Sequence, residues 1–283
     1  MLKNKILALL GAAMIACSAA AAESAEDAKV AEADSLSAWA KFEQRLNAPC
    51  NRVPQIHGVF RGRYEGEWED GYESRFQVRN MRVLDPYGAD AYLVVVPFYN
   101  KPVQEGLYQY FKAVAGEPDR QVILYNVPGR TGTNMKTETV LRLAELPNVS
   151  AVKEASGDVN QIIDIKRLAP EGFSVLSGND DQILPLMASG CDGVISVASN
   201  VAPEAVKALT EAVFRSDLKE AVRLNNSLMP LYNACFVESN PIPVKAAMSL
   251  MGYCSAEMRL PLTEAVQSTK DLLSEVIAGV EKI

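Results

Sequence analysis

The chain has 283 residues, of which 48% are hydrophobic and 22% charged, and its formal net charge is −7 at pH 7. Such a chain can bury a sizeable core, and its acidic balance gives no electrostatic footprint for nucleic acid. The one histidine, His57, excludes metal sites built from several histidines. The five cysteines show no Cys-x-x-Cys spacing and are expected to be buried or free thiols.

Residues 1–22 have the pattern of a secretory signal peptide. Lys3 and Lys5 precede an apolar run over residues 6–15, and a small-residue end allows cleavage after Ala22. The apolar run is too short to span a membrane. Lipid attachment at Cys17 is an alternative, although Met14 is a poor match to a lipobox. The leader predicts export, to the periplasm or the outer membrane.

The next stretch, residues 23–84, changes from a helical to a strand period. Residues 26–46 carry apolar side chains at helical spacing, which predicts an amphipathic helix. Residues 58–68 then alternate between Gly or aromatic residues on one face and charged residues on the other. A turn at Asp70-Gly71 leads into a second run over residues 76–83, so a β-hairpin is expected.

The hairpin segment, residues 52–83, resembles the opening strands of a phosphate-selective-type porin of Gram-negative bacteria. Aromatic residues on one face and charges on the other fit a barrel with lipid outside and a polar lumen. A soluble antiparallel hairpin fits the same alternation. Two strands cannot close a membrane barrel by themselves.

From residue 91 onward, short apolar runs alternate with helical patterns. Strands are predicted over residues 91–97, 121–127, 149–153, 173–177 and 193–197, and helices over residues 105–115, 134–146, 159–168 and 182–188. This alternation predicts an α/β fold with a parallel sheet, and functional residues at several strand ends favour a barrel. The stretch from Pro203 onward is expected to be mostly helical.

Two of the predicted strands end in side chains that can carry chemistry. Lys153 lies in an apolar run just before a turn, where burial would lower the pKa of its amine and let it attack a carbonyl. Taken alone, it also fits an ordinary strand-end lysine whose ammonium is in water. Tyr125, near the end of the preceding strand, favours the chemical interpretation.

Five linked motifs resemble the dihydrodipicolinate synthase family, in that family's order and with similar spacings. They are Pro97-Phe-Tyr-Asn-Lys-Pro102, Leu124-Tyr-Asn-Val-Pro-Gly-Arg-Thr-Gly132, Val152-Lys-Glu-Ala-Ser-Gly157, Leu176-Ser-Gly-Asn-Asp180 and Gly193-Val-Ile-Ser-Val197. The resemblance runs from about residue 88 to the C-terminus. It implies an eight-stranded β/α barrel with a helical C-terminal extension. It also implies a lyase of lysine biosynthesis that condenses pyruvate with L-aspartate 4-semialdehyde to 4-hydroxy-tetrahydrodipicolinate, with no metal or organic cofactor.

The resemblance implies catalytic roles for three residues. Lys153 would form the imine with pyruvate, whose protonated nitrogen is the electron sink for an enamine. Tyr125 would relay protons, and Tyr99 would cross a subunit interface to complete the relay of a neighbour, which implies a homo-oligomer, a dimer or a tetramer. The two tyrosines also fit core or interface aromatics without a chemical role.

Three further residues are implied in substrate binding. Arg130 would bind the carboxylate of the aldehyde substrate with its planar guanidinium, although a solvated loop arginine fits the same position. Gly178 and Ile195 would line the pyruvate pocket through backbone and shape. A related pyruvate-dependent aldolase remains an alternative, but sialic acid lyases as a class lack this Arg-Thr-Gly after the proline turn.

The first three strands of the family have no counterpart ahead of residue 88, and with them the Gly-Thr-Thr-Gly-type loop is missing. The sequence therefore predicts a partial barrel, about strands 4 to 8, over residues 85–200, followed by a helical region over residues 201–283. A chimera with a junction near residues 84–88 is the hypothesis, whether by fusion, truncation or assembly error. The lyase, impaired by the missing strands, and an exported porin-like envelope protein are the competing functions. Family chemistry belongs in the cytoplasm, whereas the leader predicts export.

Overall fold

The structure is a computed structural model that describes residues 90–116 and 120–280. The predicted signal peptide, amphipathic helix and porin-like hairpin lie outside the described residues. Contacts divide the chain into two compact units, one of which ends at Met229 while the other continues from Pro230. Each unit is described by itself.

The first unit alternates strands with helices, as its apolar periodicity predicts. Its strands are β1 (Ala91–Val95), β2 (Gln121–Asn126), β3 (Val149–Glu154), β4 (Ser174–Ser177) and β5 (Gly193–Val194). Its helices are α1 (Gln104–Ala115), α2 (Pro128–Thr131), α3 (Thr137–Ala144), α4 (Val159–Leu168), α5 (Ile183–Ala188), α6 (Pro203–Phe214) and α7 (Leu218–Ala234), the last of which continues into the second unit. The predicted α/β class is confirmed.

The five strands form one parallel sheet in the order β1-β2-β3-β4-β5. One row of the register runs across the whole sheet and contains Val95, Tyr125, Lys153, Leu176 and Gly193. Residues level with one another in a pleated sheet share a face. Because all strands run the same way, their carboxyl ends meet at one edge, and this row lies close to that edge.

The core of this unit lies between the sheet and its helices. Val94, Leu124 and Val152 belong to it, because they occupy the face opposite to the Tyr125 row. Side chains from four helices pack with them, namely Leu107, Phe111, Val114, Val140, Leu143, Ile162, Ile165 and Leu186. Residues of the other face, such as Ile123 and Leu176, are buried as well. Burial on both faces explains the near-continuous apolar runs of these strands.

Several element ends differ from the sequence prediction, since β1 ends at Val95 rather than residue 97 and α3 spans Thr137–Ala144 rather than residues 134–146. Two differences have a clear physical cause. Strand β5 stops at Val194 rather than residue 197, because the backbone N–H groups of Val197 and Ala198 donate to the Asp180 carboxylate instead of extending the sheet. The predicted turn after β2 is a single helical turn, α2. Pro128 at its first position and Gly132 at φ 72° after its end suit such a turn.

The second unit contains α8 (Ile242–Leu250) and α9 (Gln267–Val280), which pack against each other. Together with α6 and α7, these helices account for most of the described residues after Pro203. None of the helices in the described ranges is long and apolar enough to cross a membrane.

Truncation of a sheet side chain tests this core. Leu124 is fully buried in β2, so Leu124→Ala should lower the free energy of unfolding by about 2–5 kcal/mol. Urea denaturation of the full chain measures the change. Leu168→Ala, at the 49% exposed end of α4, is the matched control and should cost far less. Equal losses for the two variants would contradict the assigned packing.

Candidate active site

Lys153 and Tyr125 form the centre of the site. They are level with each other on neighbouring strands β3 and β2, so their side chains leave the same face of the sheet. Lys153 is only 1% exposed, and its Nζ lies 4.4 Å from the centroid of the Tyr125 ring. A cation at this distance from an aromatic face is attracted by the ring quadrupole. The structure thus joins the two residues that the motifs singled out.

Gly178 lies against the Lys153 side chain. A Cβ atom at Gly178 would be 3.1 Å from Lys153 Cε, 2.7 Å from Ala155 Cβ and 3.0 Å from the Glu154 carbonyl oxygen. These distances are shorter than ordinary contacts, so any larger residue would displace its neighbours. Because Gly178 has no side chain, the Lys153 side chain can occupy this space.

Ile195 lies next to Gly178 in the continuation of the sheet. Its N–H donates to the Ser177 carbonyl at 2.8 Å, which carries the β4–β5 pairing one step beyond Val194. Ile195 is buried and follows Gly193, which lies in the row of Lys153, by two residues. Both predicted pocket residues therefore lie at the carboxyl edge, and Gly178 is the one that approaches the lysine.

Arg130 and Tyr99 lie apart from this centre. Arg130 is exposed in the last turn of α2, and Tyr99 is 78% exposed in the loop after β1. Tyr99 has a φ of 71°, a region that non-glycine residues adopt only at a cost. Within the described residues, neither side chain makes a hydrogen bond or an ion pair to Lys153.

The sequence interpretation did not single out a buried polar network beneath the site. Asn126 and Glu154 are both fully buried and lie level on β2 and β3, and Asn126 Nδ2 is 3.0 Å from each carboxylate oxygen of Glu154. The Ser156 N–H donates to Glu154 Oε1 at 2.8 Å, and Gln161 Nε2 donates to Oε2 at 3.2 Å. Asn134 Oδ1 also accepts from Asn126 Nδ2, at 2.7 Å. The network ties the ends of β2 and β3 to the start of α4.

A sequence signal for this network existed. Asn126 follows Tyr125, and Glu154 follows Lys153, so strand alternation turns both polar side chains toward the face that the helices cover. A buried polar group needs a partner. Burial raises the pKa of the Glu154 carboxyl, while the hydrogen bonds from Asn126, Ser156 and Gln161 act in the opposite direction with a smaller effect.

Comparison with known proteins gives this arrangement a family. Residues 80–279 match the model of the dihydrodipicolinate synthetase family. The chain belongs to this family. The match begins slightly ahead of residue 88, where the sequence motifs first resemble the family.

Individual relatives agree with the family assignment. The 4-hydroxy-tetrahydrodipicolinate synthase of Thermotoga neapolitana is 50% identical over 201 residues, which are 70% of this chain and 68% of that protein. The crystal structure of dihydrodipicolinate synthase from Thermotoga maritima superposes with a TM-score of 0.72 at 43% identity, covering 74% of this chain and 72% of the other. The enzyme of Acinetobacter baumannii, crystallised with pyruvate, gives 0.71 at 40% identity and covers 74% and 72%. The α/β fold with its parallel sheet therefore matches the TIM-barrel structures of this family.

The pKa of Glu154 predicts a pH trend in stability. Because burial raises this pKa, the folded protein holds the proton to a higher pH than the unfolded chain, and ionisation favours unfolding. As the pH rises from 4.5 toward neutral, Glu154→Gln should therefore gain stability relative to the wild type. Denaturant unfolding at several pH values measures the difference.

Glu138→Gln, on the exposed side of α3, controls for the loss of one negative charge. If Glu154→Gln instead loses stability relative to the wild type as the pH rises, the three N–H donors outweigh burial and the ionised carboxylate is the stabilising form.

Proposed function

We propose that the chain is a Schiff-base lyase, a 4-hydroxy-tetrahydrodipicolinate synthase that condenses pyruvate with L-aspartate 4-semialdehyde in lysine biosynthesis. The observation that carries the proposal is Lys153, a buried lysine at the carboxyl end of a parallel strand with its Nζ over the Tyr125 ring. The names of the relatives support the reaction, and the pyruvate in the Acinetobacter baumannii enzyme supports the first substrate.

Lys153 is the proposed nucleophile. Its neutral amine attacks the keto carbon of pyruvate, the resulting carbinolamine loses water, and a protonated imine forms. The imine nitrogen withdraws electrons, so the pyruvate methyl group loses a proton and becomes the terminal carbon of an enamine. This carbon then attacks the aldehyde carbon of the second substrate, whose oxygen takes up a proton and becomes the 4-hydroxyl group. The amino group of that substrate finally displaces the Lys153 amine at the imine carbon, which closes the ring and frees the lysine, so that the water lost in imine formation is the only water released.

Tyr125 is the proposed proton relay. Each step at the imine moves a proton, and a phenol within reach of the reacting nitrogen can both donate and accept one. The register places Tyr125 level with Lys153, and the network beneath them fixes the two strand ends to each other. A relay between these groups therefore needs no rearrangement of the backbone.

Arg130 is the proposed binding group for the carboxylate of the aldehyde substrate. It follows β2 on α2, at the same sheet edge as Lys153, and its exposed guanidinium is open to an incoming anion. The planar fork of arginine matches a carboxylate with two parallel hydrogen bonds. Gly178 and Ile195 are proposed to shape the pyruvate pocket, as their positions beside Lys153 favour.

Tyr99 is the residue that one subunit is proposed to place in the active site of another. A large aromatic side chain that is 78% exposed, on a backbone held at φ 71°, suits a residue that a second copy of the chain covers. The active form is then a homo-oligomer. We propose that Tyr99 completes the proton relay of the neighbouring subunit.

The architecture is proposed to be a partial barrel. Five parallel strands in chain order support the assignment of residues 85–200 to about strands 4 to 8 of the family barrel, with the helical region over residues 201–283 behind them. The signal peptide at residues 1–22 and the porin-like hairpin within residues 23–84 remain predictions from the sequence.

A cytoplasmic location is proposed for the lyase, and the leader is the feature that argues for export.

Reductive trapping tests the proposed function. Full-length protein mixed with pyruvate and sodium borohydride should carry a reduced pyruvate adduct on the peptide that contains Lys153, as measured by mass spectrometry. Lys153→Arg should abolish the adduct, because a guanidinium does not form the imine. Lys136→Arg, at an exposed lysine, is the matched control and should keep it. A wild-type chain without an adduct would rule out catalysis at Lys153.

A second prediction concerns the space around the lysine. Gly178→Ala should slow the trapping reaction by on the order of tenfold to a hundredfold, because the new methyl group displaces Lys153 or Ala155. Gly129→Ala is the matched control, since a Cβ atom there meets nothing within 4 Å. Equal trapping rates in the two variants would contradict the close approach.

A further inference from the structure

Asp180 is a second buried carboxylate near Lys153 that the proposed reaction does not use. It begins the short 3-10 turn Asp180–Gln182 after β4 and is only 2% exposed. Gly178, two residues earlier, contacts the Lys153 side chain. The segment between β4 and α5 thus packs against Lys153 at Gly178 and carries this carboxylate two residues later.

The carboxylate of Asp180 holds the chain that follows β5. Its Oδ2 accepts hydrogen bonds from the backbone N–H groups of Val197 at 3.1 Å and Ala198 at 2.8 Å. The segment Ile195, Ser196, Val197 and Ala198, called here the β5 exit, is buried throughout. Without this acceptor, two buried N–H groups would be left without a hydrogen-bond partner, which destabilises the β5 exit.

Asp180 also interacts electrostatically with the site. Burial raises the pKa of its carboxyl, whereas the Ser196 hydroxyl, the two N–H groups of the β5 exit and the Lys153 ammonium lower it. Its second oxygen, Oδ1, makes no hydrogen bond of ordinary geometry among the described residues, although Ser196 is close enough to affect the pKa. Asp180 therefore holds the backbone of the β5 exit through Oδ2.

We infer that Asp180 is a positioning residue for the imine chemistry at Lys153, and this inference rests on the proposed function. By accepting from Val197 and Ala198, the Asp180 side chain fixes the β5 exit against the end of β4. Ile195 belongs to that exit and lies beside Gly178, which packs against Lys153. If the exit moves, the wall of the pyruvate pocket moves with it, and the reacting carbon no longer meets the amine in a productive geometry.

The geometry separates the hydrogen bonds of Asp180 from its charge. Both N–H groups bind one oxygen, so an asparagine amide oxygen can accept the same pair. The amide nitrogen would then take the place of Oδ1, the oxygen that neither N–H group contacts. Positioning by hydrogen bonds therefore predicts that Asp180→Asn keeps the reaction, while Asp180→Ala loses it.

The test is the rate of reductive trapping at Lys153 in the full chain, measured against pyruvate concentration. Asp180→Ala should lower the rate at saturating pyruvate by on the order of a hundredfold, and Asp180→Asn should stay close to the wild-type rate. Circular dichroism and thermal unfolding establish that each variant is folded. If the alanine variant does not fold, Asp180→Ser replaces it and should also trap slowly, because its hydroxyl is too short to reach both N–H groups.

Asp192 supplies the matched control. Its Oδ2 also accepts a backbone N–H, that of Val175 at 2.9 Å, together with Lys166 Nζ at 2.7 Å. It lies two strands from Lys153 and one residue before the Lys153 row, however, so its side chain leaves the opposite face of the sheet, where it meets Lys166 of α4. Asp192→Ala should lower the unfolding temperature but leave the trapping rate of the folded protein unchanged. If Asp180 acted only through stability, the two alanine variants would instead slow trapping alike.

The outcomes are distinguishable. A wild-type protein that forms no adduct overturns the proposed function and the inference together. A wild type that traps pyruvate, with Asp180→Ala equally fast, overturns the inference alone. So does a folded Asp180→Asn that traps as slowly as the alanine variant, because the charge would then be the active feature. If Asp192→Ala slows trapping as much as Asp180→Ala does, general destabilisation explains both results and the inference is overturned.

Discussion

The register between β2 and β3 is the constraint on which the site depends. It sets Tyr125 level with Lys153 on one face and Asn126 level with Glu154 on the other. A slip of one residue would turn every side chain of a strand to the opposite face, which would bury the tyrosine among the helices and separate it from Lys153. The Asn126–Glu154 hydrogen bonds, at 3.0 Å, form only in the observed register. The polar pair therefore specifies the alignment that the chemistry requires.

Burial of charge recurs around this edge and has a common origin. A parallel sheet covered on both faces leaves its strand ends in a poorly hydrated environment, so each polar group there needs a partner from the protein. Lys153 has the Tyr125 ring, Glu154 has three N–H donors from different elements, and Asp180 has the backbone of the β5 exit.

The sequence predicted the strands and the central pair because both rest on local pattern. Continuous apolar runs revealed all five strands, and the motifs around Tyr125 and Lys153 indicated that the two residues meet. The roles of Glu154 and Asp180 depend on partners far along the chain, since Asn126 precedes Glu154 by 28 residues and Val197 follows Asp180 by 17. Hydrophobic periodicity along the sequence does not reveal contacts between residues so far apart in the chain. The early end of β5 escaped prediction for the same reason, because a side chain captured its N–H groups.

The strand order has a consequence for how the molecule forms. Each strand pairs with the next one in the chain, so every strand, helix and following strand makes a unit whose hydrogen bonds close over a short stretch. Such local closure has a small entropic cost, and units of this kind can assemble one after another as the chain emerges from the ribosome. The Tyr125–Lys153 pair lies within a single unit, the second in the row. Within the described sheet, β1 stands between this unit and the sequence ahead of Ala91, so the hydrogen bonds that align the reactive pair close without any residue from that sequence.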